Sequence, residues 1–470
     1  MKAGVAKAVI TPYVGIALEG NVRDKGSQGI HDDLYVRALV LQADDGTELG
    51  IIASDLVGVP QDFCDGVRAM VEAETGIPRG NVMVTASHTH SGPAMLGLFG
   101  IEVDQGYTEV LKRKFAGAAK MARNRLREAQ VRFAVGEEAS VAFNRRIRMK
   151  DGTLRMNWEF IDCDESLRRG IAGPAGPVDP EIAIMEVRGA GGEPLCVFFN
   201  YALHPAILAG DNFDISADYP GYSMRLIEAV TGAVAMYTNG ADGNVNHINV
   251  NDPEQGRGFG EAERVGTIVG AEVIKALART RKASRPVPSG QTGSIAPAAG
   301  AAGPAMHTPL ACTSKVIDVP RRRLSSAEVE AARKVAGGKT FQELSKLLAL
   351  VDGVPDEIYA LEILELAALR EKDPCAHLEL QAFRVGDAAF VAVPGELFVE
   401  FGLEIKARSP LKPTFVVGYA NGYEGYIPTE KAFSEGGYEP RTARTSQLAE
   451  EAGRLITEAA VELLGDLAGR

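Results

Sequence analysis

The run Thr85-Ala86-Ser87-His88-Thr89-His90-Ser91-Gly92-Pro93 constrains this chain more than any other segment. It closes the apolar stretch 82–84, which reads as a buried strand, and it ends in Gly-Pro, which reads as a turn. Side chains two apart on an extended strand share a face, so His88 and His90 are expected to address one point where a strand gives way to a loop. Open α/β sheets build their sites at that edge. Two of the chain's seven histidines sit in this run, and a metal, zinc before others, is the simplest account of them.

Around this run the pattern alternates. Val5–Ile10, Leu34–Leu41 and Leu49–Ser54 read as strands. Asp62–Glu74 reads as a helix with Phe63, Val67, Met70 and Val71 on one stripe, stopped by Gly76. A second helix is expected over Tyr107–Leu126. Strands over Ile182–Val187, Cys196–Tyr201 and Ala233–Thr238 follow, with helices near Tyr219–Val230 and Gly260–Ala278. The order predicts an α/β fold, a mixed β-sheet core with helices packed on it. Ser289–Met306, rich in Gly, Ala, Pro and Ser, reads as a linker. A helical insertion follows near residues 325–372, so that 289–372 is linker plus insertion. Its signals are capping boxes at Ser325-x-x-Glu328 and Thr340-x-x-Glu343 and a helix opening at Pro355-Asp356-Glu357. Strands return at Leu378–Val385 and Ala388–Val393, and an amphipathic helix over Ser446–Leu464 is expected to end the chain.

At 470 residues the chain can bury a large core, in one large domain with insertions or in two or three domains. A net charge of -12 argues against nucleic acid and against docking on anionic lipid. No stretch reaches the ~20 apolar residues of a membrane span. Lys7 and Pro12 interrupt any apolar leader, and the five scattered cysteines form no C-x-x-C pair. A cytoplasmic protein with reduced thiols is the expectation.

A catalytic zinc site takes about three protein ligands and keeps a position open. His204 follows the apolar strand ending at Tyr201, and Glu396 follows the strand 388–393, so both are candidates to join His88 at one sheet edge. Each alone reads as easily as a hydrogen-bonded structural residue or a turn. His31, His247, His307 and His377 are taken as structural or surface residues. Asp55, also at a strand end, is expected to be structural before it is a support for a ligand histidine. Asp242-x-Asn244-x-Asn246 opens like a calcium loop but lacks the later Gly and Glu, and reads as a polar turn.

Together, His88-Thr89-His90-Ser91-Gly92-Pro93, the strand-end His204, Pro394-Gly395-Glu396, and the run from Tyr419 through Tyr426 to Tyr438-Glu439 resemble the neutral (non-lysosomal) ceramidase family. Those enzymes are zinc-dependent amidases that cleave the N-acyl bond of ceramide. The likeness covers about Ala3 to Tyr438 and implies a single large catalytic domain over 1–470. It implies that His88, His204, Glu396 and Tyr426 bind zinc, and that His90, Arg145 and Tyr438 face the substrate. The residues alone do not select Tyr426 over Tyr419 or Tyr423.

Three departures stand out. Where the family has a serine in Gly-Asp-Val-Ser-Pro-Asn, this chain reads Ala241-Asp242-Gly243-Asn244-Val245-Asn246, without a hydroxyl. His204 is followed by Pro205-Ala206 rather than Gly-Thr. No secretion signal and no C-terminal immunoglobulin-like domain are expected. The resulting expectation is a zinc-dependent hydrolase that cleaves an amide by attack of a metal-activated water, with Zn2+ as cofactor. The partner is a small-molecule amide, soluble before lipid-like, and the chain is free to oligomerise. The alternatives are an esterase or lactonase using the same site, or a metal-binding scaffold without turnover.

Overall fold

The computed structural model describes residues 1–280, 308–344 and 354–469. The linker read at Ser289–Met306, and His307, lie outside the described residues. Eight strands form the main sheet: β1 (Lys2–Val9), β2 (Tyr35–Gln42), β3 (Glu48–Ser54), β4 (Val82–Ala86), β5 (Arg127–Glu137), β6 (Glu181–Gly189), β7 (Pro194–Tyr201) and β8 (Val234–Asn239). Their order is β8-β7-β6-β5-β1-β2-β3-β4. Neighbours are antiparallel except at the two ends, where β3–β4 and β7–β8 run parallel. Parallel neighbours need a crossover. Helix α1 (Gln61–Thr75) supplies it for β3–β4, α2 (Gln105–Asn124) packs beside it, and α3 (Asp218–Thr231) supplies it for β7–β8. The long helix α4 (Gly258–Thr280) lies against α3.

A second, four-stranded sheet covers the other face. Its order is β9-β10-β11-β12, with β9 Leu310–Pro320, β10 Cys375–Val385, β11 Ala388–Ala392 and β12 Thr414–Val417. Between β9 and β10 lie α5 (Ser326–Ala336) and α6 (Asp356–Lys372), the expected helical insertion. Both expected capping boxes form: Ser325 Oγ accepts from Glu328 N, and Thr340 Oγ1 accepts from Glu343 N. Helix α7 (Val399–Arg408) connects β11 to β12, and α8 (Ala452–Ala468) closes the outer face.

Alternation along the strands builds these layers. Val36, Ala38 and Val40 of β2 face α1 and α2, whereas Leu39 and Leu41 face the second sheet. Phe199 of β7 faces α3 and α4, whereas Phe198 meets Phe390 and Phe415 of the second sheet. Phe390 and Phe415 stack with centroids 4.2 Å apart, and Phe198 meets them edge-on at 5.4 and 5.6 Å. With a helix layer on one side and a sheet on the other, these strands are apolar on both faces, which is why they read as nearly continuous apolar runs.

The layering positions the site. Counted along the ladder, β7 and β8 run opposite to β3 and β4. The two edges of the sheet nonetheless come together: β8 packs against both β3 and β4. Asn239, the last residue of β8, reaches Ser87 O, one residue beyond β4, at 3.3 Å. The segment after β12 bridges the two edges: Gly418 N donates to Asn239 O, Ala86 N to Tyr419 O, and Asn421 N to Val84 O. Tyr419 and Asn421 take positive φ of 54° and 63° to do so.

Of these twelve strands, three escaped the sequence reading. In β5 the charged residues Arg127, Glu128, Arg132 and Glu137 obscure its alternation, and it follows α2 without a breaker, so it reads as more helix. In β9 the middle of the strand is largely exposed, as befits a sheet edge, which erases the apolar signal. At four residues, β12 is too short to read by pattern. The last helix also begins at Ala452 rather than Ser446. Leu448 instead bridges to Arg321 and Ser446 to Gly425, so the preceding turn is tied into the sheets.

Replacing Phe390 by Ala should cost about 3–5 kcal/mol in urea unfolding, because it empties the centre of the sheet–sheet interface. A cost under about 1 kcal/mol would show that the two sheets do not depend on this contact.

Candidate metal centre and substrate cleft

His88 and His90 converge, but not as a strand pair. Strand β4 stops at Ala86, and His88 takes a left-handed φ of 70°, so the two imidazoles meet through a loop rather than along one strand face. The loop is tied down by Ser87 N to Ser54 O and His88 N to Leu56 O, both 2.8 Å. Gly20 lets the chain pass against the His90 ring: a Cβ there would lie 2.4 Å from His90 Cγ.

Around this loop the side chains of distant segments share one centre. His88 Nε2 lies 3.1 Å from His204 Nε2 and 3.1 Å from His90 Nε2. Glu396 Oε2 lies 3.5 Å from His88 Nε2 and 3.8 Å from His204 Nε2, and it has no hydrogen-bond partner among the described residues. All four residues are buried. One ring nitrogen from each of His88, His90 and His204 lies within 4.8 Å of the other two.

Supporting contacts orient these groups. His88 Nδ1 faces Val57 O at 2.6 Å, and the His88 ring stacks on Tyr419 at 4.0 Å. A proton on Nδ1 leaves the Nε2 lone pair aimed at the centre. His204 Nδ1 lies 3.0 Å from Asp242 Oδ2, within ion-pairing reach though off a hydrogen-bond line. Asp242 is held in turn by Tyr419 OH at 2.7 Å and by Asn239 Nδ2 at 2.9 Å. His90 Nδ1 has no partner. Tyr423 OH donates to Glu396 Oε1 at 2.5 Å.

Burial sets the electrostatics. It holds the His90 and His204 imidazoles well below the usual range, and neighbouring His88 pushes the same way. Burial also pushes Glu396 up, but His88, His204 and Tyr423 outweigh it, and the net shift is downward. Asp242 is pushed up to about 6 by burial, against the pull of His88 and Tyr419. Burial thus favours the neutral form of the His90 and His204 imidazoles, while the neighbours of Glu396 favour its charged form.

The donor set fits a zinc ion. Two imidazole Nε2 atoms 3.1 Å apart face a carboxylate oxygen that has no hydrogen-bond partner among the described residues, an arrangement that a cation among them would satisfy. Nitrogens about 2.0–2.1 Å from a tetrahedral zinc stand about 3.3 Å apart, close to the spacing here. Nitrogen and oxygen donors of this kind suit zinc.

The remaining expected residues lie beside this centre. Tyr426 pairs in parallel register with Glu396, which brings the two side by side. The Arg145 guanidinium carbon lies 5.1 Å from the Tyr426 ring centre and 5.9 Å from that of Tyr438. Arg145 is fixed by Glu439 Oε1 at 2.9 Å and Gly243 O at 2.6 Å. It does not line the cleft and stands behind the two tyrosines. Burial works against the Arg145 charge, but Tyr426, Glu439 and Glu396 hold it well above the usual range. His88, His90, Glu396, Tyr423, Tyr426 and Tyr438 open onto a narrow cleft. Val22, Leu96, Leu98, Phe99 and Ile101 form its apolar wall.

Sequence reasoning missed two functional supports. Asp242 is no plain polar turn but the partner of His204; its place directly after β8 carried the same strand-end signal as His204 after β7. Tyr423 had no signal of its own. Asp55 serves the fold, pairing with Arg37 at 2.9 Å and accepting from Tyr35 N at 2.8 Å.

Comparison with known proteins agrees with this geometry. Residues 1–248 match the family model described as neutral/alkaline non-lysosomal ceramidase, N-terminal. The chain is 24% identical to the neutral ceramidase of Pseudomonas aeruginosa over 480 residues, covering 93% of this chain and 68% of that one. The crystal structure of neutral ceramidase from Pseudomonas aeruginosa superposes with a TM-score of 0.71 at 20% identity, covering 100% of this chain and 74% of that one. A ceramidase complexed with C2 gives 0.71 at 19% identity, with 100% and 75% covered. The structural likeness establishes a shared fold, and the family match spans more than half of the sequence: the chain belongs to the neutral/alkaline non-lysosomal ceramidase family.

Proposed function

We propose that this protein is a zinc-dependent hydrolase that cleaves an N-acyl amide. The observation that carries the reading is the unpartnered Glu396 Oε2 facing the paired Nε2 atoms of His88 and His204. These three residues would hold the ion, with Tyr426 completing the set from its place beside Glu396. Bound there, zinc supplies a water activated near neutral pH and polarises the scissile carbonyl.

The chain's own residues do the rest. Tyr438, at the cleft surface, donates its hydroxyl to the oxygen on which negative charge develops. Arg145 acts from behind Tyr426 and Tyr438, where its buried positive charge stabilises that oxygen and holds the tyrosines in place. His90 lines the cleft, and among the described residues nothing faces its Nδ1, whereas His88 Nδ1 faces Val57 O at 2.6 Å and His204 Nδ1 lies 3.0 Å from the Asp242 carboxylate. Ligand histidines are almost always anchored at the second nitrogen. That difference favours His90 as the proton carrier to the leaving amine over His90 as a ligand. The apolar wall favours a substrate with an apolar chain over the fully soluble amide expected from sequence.

Assay of the purified protein against N-acyl amides, esters and lactones tests the reaction class. The reading predicts amide turnover that a chelator abolishes and zinc restores. Turnover of esters or lactones alone would contradict it.

Two substitutions test the division of labour. His90→Ala should retain zinc and lower kcat/KM by about 100-fold or more; loss of metal in step with activity would contradict the assignment. Asp242→Asn should weaken zinc binding about 10–100-fold, measured by competition with a chromophoric chelator. An unchanged affinity would remove Asp242 from the site.

A further inference from the structure

The cleft's apolar wall is built on a backbone turn closed by a single hydrogen bond from Ile101 N to Leu98 O at 3.1 Å. In Gly97–Ile101, Gly97, Phe99 and Gly100 take positive φ of 66°, 55° and 75°. For a phenylalanine this conformation is unfavourable and needs outside support. Two buried carboxylates from distant segments provide it. Glu19 Oε1 accepts from Leu98 N at 2.9 Å, and Glu362 Oε1 accepts from Phe99 N at 2.8 Å.

Glu362 belongs to α6 of the helical insertion and is fully buried. Arg444 neutralises it through Nε at 2.9 Å and Nη2 at 2.7 Å, and the same Nη2 reaches Gly97 O at 3.4 Å. The turn is gripped on its apolar side as well. Phe99 meets Tyr359 of α6 edge-on at 5.7 Å, and Phe341 lies so close to Gly100 that a Cβ there would stand 2.3 Å from it. The described residues of the insertion thus reach the cleft through the turn that carries Leu98, Phe99 and Ile101.

We infer that Glu362 is a positioning residue: it fixes the apolar wall through the Phe99 amide and so sets how strongly an apolar substrate chain is preferred. The helical insertion thereby acts as a specificity element of the cleft. This rests on the reading of the cleft as the substrate site.

The test compares wild type, Glu362→Ala, Glu362→Gln and Phe99→Gly on matched N-acyl amides with short and long acyl chains. Zinc content is measured in each. Glu362→Gln keeps an acceptor for the Phe99 amide. Phe99→Gly adopts the left-handed backbone without strain but removes the ring, and it carries the test should Glu362→Ala fail to fold. Glu362→Ala and Phe99→Gly should lose about tenfold in kcat/KM on the long chain, mainly through KM, with the short chain and the zinc content little changed. Glu362→Gln should recover part of the preference. Equal losses on both chains, or an unchanged preference, would overturn the inference.

Calorimetric binding of dodecanoate against butanoate separates this inference from the amidase reading. Selective binding of dodecanoate that is lost in Glu362→Ala upholds the wall even where no amide is cleaved. Absence of turnover in wild type counts against the amidase reading alone. Equal dodecanoate affinity in wild type and Glu362→Ala overturns the role of Glu362.

Discussion

Two imidazole lone pairs and a carboxylate oxygen do not share a buried centre without a positive charge between them. That constraint governs the middle of this molecule. His88 and His204 are each turned by a contact at Nδ1, so their Nε2 atoms face inward at 3.1 Å. Glu396 is held by Tyr423 at one oxygen and left with nothing at the other. A protein gains nothing from burying such a set unless a cation is its partner. The supports are as extensive as the centre itself. Tyr419 alone stacks on His88, donates to Asp242, and ties its backbone to the end of β4.

The fold delivers this centre by closing the main sheet on itself. Strand β8 at one edge packs against β3 and β4 at the other, which brings the ends of β4 and β7 to one place. The gap is closed by residues 418–421 after β12, so the second sheet is more than a cover for the first. It also supplies Glu396 directly after β11, and the following connection supplies Tyr423 and Tyr426. The aromatic contact among Phe198, Phe390 and Phe415 fixes the separation of the two sheets and, with it, the distance from Glu396 to the histidines.

Much of this was legible in the sequence, for identifiable reasons. Strands buried on both faces leave apolar runs, and α1 and α2 leave clean stripes, so most elements and the α/β class could be read. His88, His204 and Glu396 each follow such a run, and the strand-end rule singles them out. The mechanism of convergence was not legible: the His-x-His pair suggests one strand face, whereas a left-handed His88 in a loop does the work. Nor was the choice among Tyr419, Tyr423 and Tyr426 legible, because each role is set by contacts with other segments, Asp242 and His88 for Tyr419 and Glu396 for Tyr423 and Tyr426. The strands β5 and β9 failed to announce themselves because exposure at one face replaced apolar residues with charged and polar ones. Glu362 was silent for a related reason. A glutamate on a predicted helix reads as solvated surface unless its distant partner, Arg444, is known.

The central claim is that one metal ion lies among His88, His204 and Glu396. Anomalous diffraction at the zinc edge, from crystals of the purified protein, tests it most directly. The account predicts one strong peak about 2.0–2.2 Å from Nε2 of both histidines and from a Glu396 oxygen. A zinc peak bound elsewhere, or no peak in zinc-loaded crystals whose three side chains stand as described, would contradict it.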